Sequence, residues 1–203
     1  ALIVQPGQVK DITACMKGDK LSWDAPDGEW EIVRMGMVPT YVENGPALKD
    51  GIGLEVDKMN KEHLRSHFDA FIGEIYKRIP EADRKTWKVV VADSYEKGGQ
   101  NFTDDFLESF EKKYGYSALP FLPVYNGVVV ESEDASDRFL WDMRKMVAER
   151  LSYDHIGELT RLSHQYGMTT WLENYGHWGF SGEFCNTAGK QMKWQENSGA
   201  REN

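Results

Sequence analysis

Acidic side chains follow several apolar, strand-like runs of this sequence, at the point where each run ends. Five carboxylates share this position: Glu55, Asp57, Asp93, Glu96 and Glu173. Because the carboxyl ends of parallel strands lie on one face of a sheet, we expect these side chains to be neighbours in space. Carboxyl groups that converge on a sugar-sized cleft suit glycoside hydrolysis, in which one acid protonates the leaving oxygen and another activates water or attacks directly.

The same carboxylates have a second interpretation, as ligands of a hard cation. Ca²⁺ binds carboxylate, amide and backbone oxygens, and Glu55, Asp57 and Asp93 offer such oxygens at neighbouring strand ends. No stretch of the sequence has the ligand spacing of a dedicated calcium loop, so the ligands would come from separate loops. On the residues alone, hydrolysis and calcium binding both stand, and neither excludes the other.

Aromatic residues lie beside these acids in the sequence: Tyr95, Trp171, Tyr175 and Trp178. Such rings stack on sugars in binding clefts, although aromatic residues that flank strands more often pack in a core. His63 and His67 have the i, i+4 spacing of metal ligands on a helix, but they lie away from the strand ends. We expect a surface or packing role for both histidines, and a solvated one for Arg144, Arg150 and Arg161.

The composition limits the classes of function. The 203 residues carry a formal net charge of −9 and no lysine or arginine cluster, which argues against nucleic acid as a partner. No apolar run approaches the length of a membrane span. The chain begins without an initiator Met or a signal-peptide pattern, so we expect it to derive from a longer protein.

The spacing of apolar residues alternates between strand-like and helical along the middle of the chain. Residues 87–92 and 168–172 are predicted to be strands, the first of them buried on both faces. Residues 52–58 form a third, short extended run. The helices are predicted to end at a proline or a glycine and to span residues 61–79, 103–115 and 136–166. Repeated strand–helix units of this kind predict a parallel sheet.

The first 48 residues have a different pattern. Two strand-like runs meet at Pro26, Asp27 and Gly28, a turn in which proline fixes φ and glycine permits positive φ. The chain therefore divides into a β-rich segment (1–48), a βα segment (49–189) and a polar tail (190–203).

Several short motifs, taken together and in order, resemble the glycoside hydrolase family 106 α-L-rhamnosidases. They are Trp23-Asp-Ala-Pro-Asp-Gly-Glu-Trp30, Gly53-Leu-Glu-Val-Asp-Lys58, Ala92-Asp-Ser-Tyr-Glu96, Gly99-Gln-Asn-Phe-Thr103, Arg138-Phe-Leu-Trp-Asp142 and Glu173-Asn-Tyr-Gly176. The resemblance implies a catalytic (β/α)8 barrel, inverting hydrolysis of terminal α-L-rhamnosides in an oligo- or polysaccharide, bound calcium, and a periplasmic or extracellular location.

The strand ends and the resemblance together give each candidate residue an expected role. The catalytic candidates are Glu96, Glu173 and Glu55, with the first two as the essential pair. The expected substrate contacts are Asp93, Tyr95, Asn101, Trp171 and Tyr175. The expected metal ligands are Asp57 and Glu55.

A complete barrel takes about 250 residues, whereas this chain contains three or four βα units. We therefore expect an α/β fold with an open, incomplete (β/α)8 barrel sheet whose strand edges lack partners. On its own the chain is expected to be aggregation-prone or molten. The alternative function is a non-catalytic carbohydrate-binding or scaffold fragment of a larger glycosidase, in which aromatic residues bind sugar and the acids hold loops.

Overall fold

The computed structural model describes residues 3–93 and 99–172. This part of the chain contains short strands, of which two pairs are parallel, and longer helices. The strands are β1 (Ile3–Val4), β2 (Met16–Lys17), β3 (Lys20–Leu21), β4 (Val89–Ala92), β5 (Val129–Val130) and β6 (Thr169–Leu172). The α-helices are α1 (Lys61–Phe68), α2 (Glu74–Arg78), α3 (Phe106–Tyr114), α4 (Glu133–Arg150) and α5 (Glu158–Gln165). Within these ranges, no helix is long and apolar enough to cross a lipid bilayer.

Residue contacts group these elements into two units. One contains residues 1–37 and 105–143, and the other contains residues 38–104 and 144–203. The candidate site residues described below belong to the second unit.

In the second unit, the helix predicted over residues 61–79 is confirmed as α1 and α2, which a π-helical turn, Asp69–Gly73, joins. Asn60 caps its start, because the Oδ1 atom accepts hydrogen bonds from the amides of Glu62 and His63 at 2.9 and 3.3 Å. The helix ends where Ile79 becomes extended, as expected for the residue before a proline.

The long helix predicted over residues 136–166 is also confirmed. It consists of α4, a π-helical turn at Leu151–Gly157 and α5. Gly167 follows with φ of 69°, a conformation that glycine adopts without a Cβ clash. The expectation of a solvated Arg150 is wrong, because its side chain is 16% exposed and its guanidinium donates to the Met59 carbonyl and the Asp154 carboxylate at 3.3 and 3.0 Å.

The two predicted strands of this unit pair in parallel, with Val89 opposite Thr169 and Ala92 opposite Leu172. One face of the pair packs on α1 and α5 through a cluster of buried apolar side chains: Leu64, Phe68, Val90, Leu159, Leu162 and Met168. Burial of this apolar area, at about 25 cal/mol per Å², fixes the strand pair on its helices.

The opposite face of the strand pair is exposed, so the prediction that β4 is buried on both faces is wrong. The side chains of Val89, Val91 and Trp171 are 41, 62 and 52% exposed. The reason is that the described residues place helices against one face only and pair two strands in this sheet. Burial on both faces requires further strands or a second layer.

The extended run at residues 52–58 does not join this strand pair. Leu54 instead forms an isolated antiparallel bridge with Glu43. Hydrogen bonds from the Asn44 amide to the Gly53 carbonyl and from the Glu55 amide to the Val42 carbonyl, at 2.9 and 2.8 Å, flank the bridge. The expectation of a shared sheet edge thus fails for this run, because a local partner takes its backbone groups.

In the first unit, β1 pairs in parallel with β5, and β2 forms an antiparallel pair with β3. Its core contains fully buried Phe106, Phe110 and Phe139, and the rings of the last two are 5.9 Å apart.

The predicted β-rich character of residues 1–48 is only partly present, since residues 22–37 contain no strand. The turn at residues 26–28 does form, with φ of 141° at Gly28. Beyond it, the Trp30 indole donates to the Pro26 carbonyl at 2.9 Å and packs edge-on against Trp23 at 5.1 Å. These local contacts take the place of the predicted strand pairing.

Candidate active site

The carboxyl ends of β4 and β6 lie side by side, because Ala92 is in register with Leu172. Asp93 follows β4 directly and is exposed. Trp171 lies opposite Val91 on the exposed face of the strand pair. The structure thus brings two of the predicted substrate contacts, a carboxylate and an indole, to the same end of one strand pair.

Four predicted site residues lie outside the described residues: Tyr95, Glu96, Glu173 and Tyr175. Their roles, including that of the catalytic pair, stay predictions. In sequence, Glu173 comes directly after β6 and Glu96 comes three positions after Asp93.

Glu55 is held by an ion pair with Lys58. The Glu55 Oε2 atom is 2.6 Å from Lys58 Nζ, and the two side chains are 21 and 14% exposed. Because the pair is largely shielded from water, the ammonium group fixes the position of this carboxylate more firmly than a surface contact would.

Asp57 accepts hydrogen bonds at both carboxylate oxygens. Oδ1 accepts from the Met59 amide at 2.8 Å and from Gln100 Nε2, and Oδ2 accepts from the Thr103 hydroxyl at 2.6 Å. Thr103 is completely buried. Charge-assisted hydrogen bonds of this kind are stronger than neutral ones, so Asp57 is well satisfied by the protein itself.

Gln100 completes the connection between two segments. Its Oε1 atom accepts from the Lys58 amide at 3.0 Å, and its Nε2 atom also donates to the Phe102 carbonyl at 3.1 Å. We call Asp57, Gln100 and Thr103 the clasp, since they tie residues 55–59 to residues 99–103. Sequence reasoning assigned no role to Gln100, and its place in the Gly99–Thr103 motif is the one signal that points to it.

The clasp bears on two expectations, the start of the helix predicted over residues 103–115 and the substrate contact of Asn101. The helix predicted from residue 103 begins later, as α3 at Phe106, because the Thr103 hydroxyl bonds Asp57 and Asp105 occupies the N-cap position. Asn101, a predicted substrate contact, lies between the two clasp residues of its segment and is exposed. Beyond the clasp, His63 Nε2 bonds Asp104 Oδ2 at 2.9 Å at the surface, in agreement with the role expected for His63.

Glu55 and Asp57 do not fit the calcium site expected from them. Calcium takes six to eight oxygen ligands, whereas Glu55 is bonded to an ammonium group and both Asp57 oxygens already accept hydrogen bonds. In residues 3–93 and 99–172, no three histidine, cysteine, aspartate or glutamate side chains form a group that could hold a metal ion. Calcium binding by other residues stays a prediction.

A buried carboxylate helps to hold α1 on α5 behind the strand pair. Glu158, with a side chain 4% exposed, accepts from Arg161 Nε and Nη2 at 2.8 and 2.6 Å and from Arg65 Nη2 at 3.3 Å. The hydrogen bond from Arg161 is the main cause that lowers the pKa of Glu158 below its usual range, and Arg65 adds to it.

His155 lies in the π-helical turn before α5. Its Nδ1 atom is buried and has no hydrogen-bond partner among the described residues. Burial lowers the pKa of His155 to about 3, and the nearby charges of Lys58 and His67 lower it further in the same direction. The imidazole is therefore neutral at physiological pH.

Active sites of α/β-barrel enzymes lie at the carboxyl ends of parallel strands, and Asp93 and Trp171 lie at that end of this strand pair. Residues 1–195 match the model of glycoside hydrolase family 106, described as alpha-L-rhamnosidase. The chain belongs to this family. The match extends from β1 beyond β6 and includes all of the candidate site residues, so the resemblance expected from the short motifs is confirmed.

Two relatives of this family 106 chain show how much of a larger protein it represents. The chain is 29% identical to the rhamnosidase from Novosphingobium sp. PP1Y, and the two structures superpose with a TM-score of 0.70. The matched region covers 83% of this chain and 17% of the Novosphingobium protein. The chain is also 34% identical, over 178 residues, to a Formosa agariphila protein named "Putative beta-glucuronidase". These residues cover 87% of this chain and 15% of that protein. The chain thus spans about a sixth of the relatives that it matches.

Proposed function

We propose that the full-length protein hydrolyses terminal α-L-rhamnosides in rhamnose-containing oligo- or polysaccharides, with inversion at the anomeric carbon. The observation that carries this proposal is the match of residues 1–195 to the rhamnosidase family, supported by the structural similarity to a rhamnosidase. The chain would form part of a (β/α)8 barrel: the remaining strands would pair with the edges of β4 and β6, and the exposed face of these two strands would become the barrel interior. A periplasmic or extracellular location belongs to the same proposal.

In the proposed reaction, Glu96 and Glu173 are the two essential carboxyl groups. One protonates the glycosidic oxygen as the bond to the anomeric carbon breaks. The other, as a carboxylate, takes a proton from the water that attacks this carbon from the opposite face, which needs carboxyl groups about 6.5–9.5 Å apart. Asp93 would accept hydrogen bonds from sugar hydroxyls, and Trp171 would stack on the apolar side of the ring.

The two named relatives point to different sugars, and the chemistry of these sugars separates them. Rhamnose carries a methyl group where a glucuronide carries a carboxylate. A glucuronide site would need a cation for this carboxylate, and Lys58 already pairs with Glu55. The family description favours the neutral sugar.

The test is release of the aglycone from an aryl α-L-rhamnoside and, in parallel, from an aryl β-D-glucuronide. Turnover of the rhamnoside alone is expected, and Glu96→Gln and Glu173→Gln should each lower kcat by about 10²–10⁴-fold. Glu81→Gln, an exposed position in a short helical turn away from the strand ends, is the matched control. Undiminished turnover in both variants would remove the pair from the mechanism, and NMR of the first product would show whether the anomer is inverted.

The second candidate function is non-catalytic carbohydrate binding, which the 52% exposure of Trp171 favours. Calorimetric titration with rhamnose, alongside the activity assay, separates the two functions. Binding without turnover by the full-length protein would support this alternative.

A further inference from the structure

We propose that Asp57 is a positioning residue rather than a metal ligand, and that it acts through Gln100 and Thr103 to hold Asn101 in place for the substrate. The inference rests on the proposed function, because it takes Asn101 as a contact to a sugar hydroxyl. It assigns the clasp a role in substrate binding that the family match does not give.

The first support is that Asp57 forms hydrogen bonds with the segment on both sides of Asn101. Its two oxygens bond Gln100 and Thr103, the residues that flank positions 101 and 102. Both flanking residues are shielded, Thr103 completely, whereas Asn101 is exposed. The backbone of Asn101 is therefore fixed at two nearby points while its amide stays accessible to a ligand.

The second support is the link from the clasp to Glu55. Lys58 donates its backbone amide to Gln100 Oε1 and its ammonium group to Glu55 Oε2. The same short segment thus holds the Glu55 carboxylate and, through Gln100, the backbone next to Asn101. A carboxylate and an amide carried by one such assembly suit a sugar ring with neighbouring hydroxyls, because the first accepts hydrogen bonds and the second both donates and accepts.

The third support is the hydrogen-bond inventory of Asp57 itself. The Met59 amide, Gln100 and Thr103 supply three donors to its two oxygens. Three of the about four lone-pair sites of this carboxylate are thus taken by donors of the protein, which leaves at most one for a cation. The Asp57 carboxylate therefore stabilises the protein chain through these hydrogen bonds, and Asn101 is the residue that contacts the substrate.

The experiment compares kcat and KM of the full-length protein on an aryl α-L-rhamnoside. Asp57→Ala and Gln100→Ala are each expected to raise KM about ten-fold with a much smaller change in kcat, the signature of lost substrate binding. Asn101→Ala should give a similar rise. The double variant Asp57→Ala/Asn101→Ala should bind no more weakly than the weaker single variant, because both changes remove one interaction. Asp57→Asn should recover most of the loss, since its amide oxygen still accepts from Gln100 and its NH₂ group can donate to the Thr103 hydroxyl.

Two results would overturn the inference. One is a multiplicative rise in KM in the double variant. The other is a higher calcium requirement for thermal stabilisation in Asp57→Ala but not in Gln100→Ala, as expected of a metal ligand. If the unmodified protein does not cleave the rhamnoside, the proposed function fails. The hydrogen bonds of the clasp are then tested separately, by hydrogen exchange of the backbone amides. The Lys58 and Met59 amides should then lose protection in Asp57→Ala, and unchanged protection would refute the clasp.

Discussion

Thr103 and Asp57 are 46 positions apart in the sequence, yet the Thr103 hydroxyl donates a hydrogen bond of 2.6 Å to Asp57 Oδ2. The hydroxyl is completely buried, and its partner is a carboxylate. The segment after β4 is therefore attached to the segment before α1 by a contact that water does not replace easily.

Removal of this hydroxyl should loosen the clasp. Thr103→Val keeps the shape but leaves a carboxylate oxygen without its donor, which costs about 1–3 kcal/mol for a shielded charged acceptor. Hydrogen exchange at residues 99–103 of the full-length protein measures the effect as a lower free energy of local opening. Thr103→Ser, which retains the hydroxyl, is the control. Equal protection in the valine and serine variants would show that the bond contributes nothing.

The buried carboxylate of Glu158 should matter to stability in a pH-dependent way. Its pKa is lowered in the folded protein, so its contribution is present above the ordinary pKa near 4.5 and is lost as the pH falls through the folded value. At neutral pH, Glu158→Gln should cost about 1–3 kcal/mol, because two arginines lose a charged acceptor.

The readout for Glu158 is the opening free energy of residues 158–165 by hydrogen exchange, with Glu74→Gln as control. Glu74 makes exposed pairs with Lys77 and Arg78 on α2, which should contribute far less. An equal loss of opening free energy in Glu158→Gln and Glu74→Gln would mean that burial does not strengthen the ion pairs of Glu158.

His155 should make the same helix less stable in mild acid. Its pKa is about 3 in the folded protein against 6.5 for the ordinary side chain, so below pH 6.5 the unfolded state binds a proton that the folded state does not. Stability is complete above pH 6.5 and falls as the pH drops toward the folded value. At pH 5 the loss is about 2 kcal/mol.

The variant His155→Phe should abolish this dependence, because its ring does not titrate and leaves no buried nitrogen without a partner. His164→Gln, an exposed position near the end of α5, is the control and should retain the dependence. Hydrogen exchange of residues 147–165 between pH 7 and 5, corrected for intrinsic rates, reads the difference. A phenylalanine variant with the original pH profile would contradict the prediction.

Calcium removal tests the metal expectation separately from the clasp. If calcium is structural or catalytic, EDTA should lower the Tm or the activity of the full-length protein, and added Ca²⁺ should restore them. Since Glu55 and Asp57 do not fit the ion, Asp57→Asn should respond to EDTA as the unmodified protein does. Unchanged Tm and activity in EDTA would remove calcium from this protein.

The isolated 203 residues should be aggregation-prone. Val89, Val91 and Trp171 expose one apolar face of a parallel strand pair whose edges carry no further strand within residues 3–93 and 99–172, and such a face favours association. Light scattering and a thermal scan of the purified chain measure this. A monodisperse monomer with a cooperative transition would contradict the expectation.

The sequence by itself determined the helices, the paired strands and the family. Asn60, Pro80 and Gly167 mark helix ends through capping and backbone dihedral preferences, which depend on a few neighbouring residues. For the same reason, the apolar spacing placed α1, α5, β4 and β6 nearly as the structure has them. The order of the short motifs likewise indicates the rhamnosidase family, because it depends on residue identity alone.

Only the tertiary structure decided what the acids do and which surfaces are covered. Asp57 and Glu55 had the chemistry of metal ligands, and their partners at Gln100, Thr103 and Lys58 became visible once the chain was folded. Strand β4 had the composition of a fully buried strand, yet its environment is exposed on one face. Hydrogen-bond partners and burial depend on residues distant in sequence, and a side chain's type states which bonds it can make but not which group will meet it.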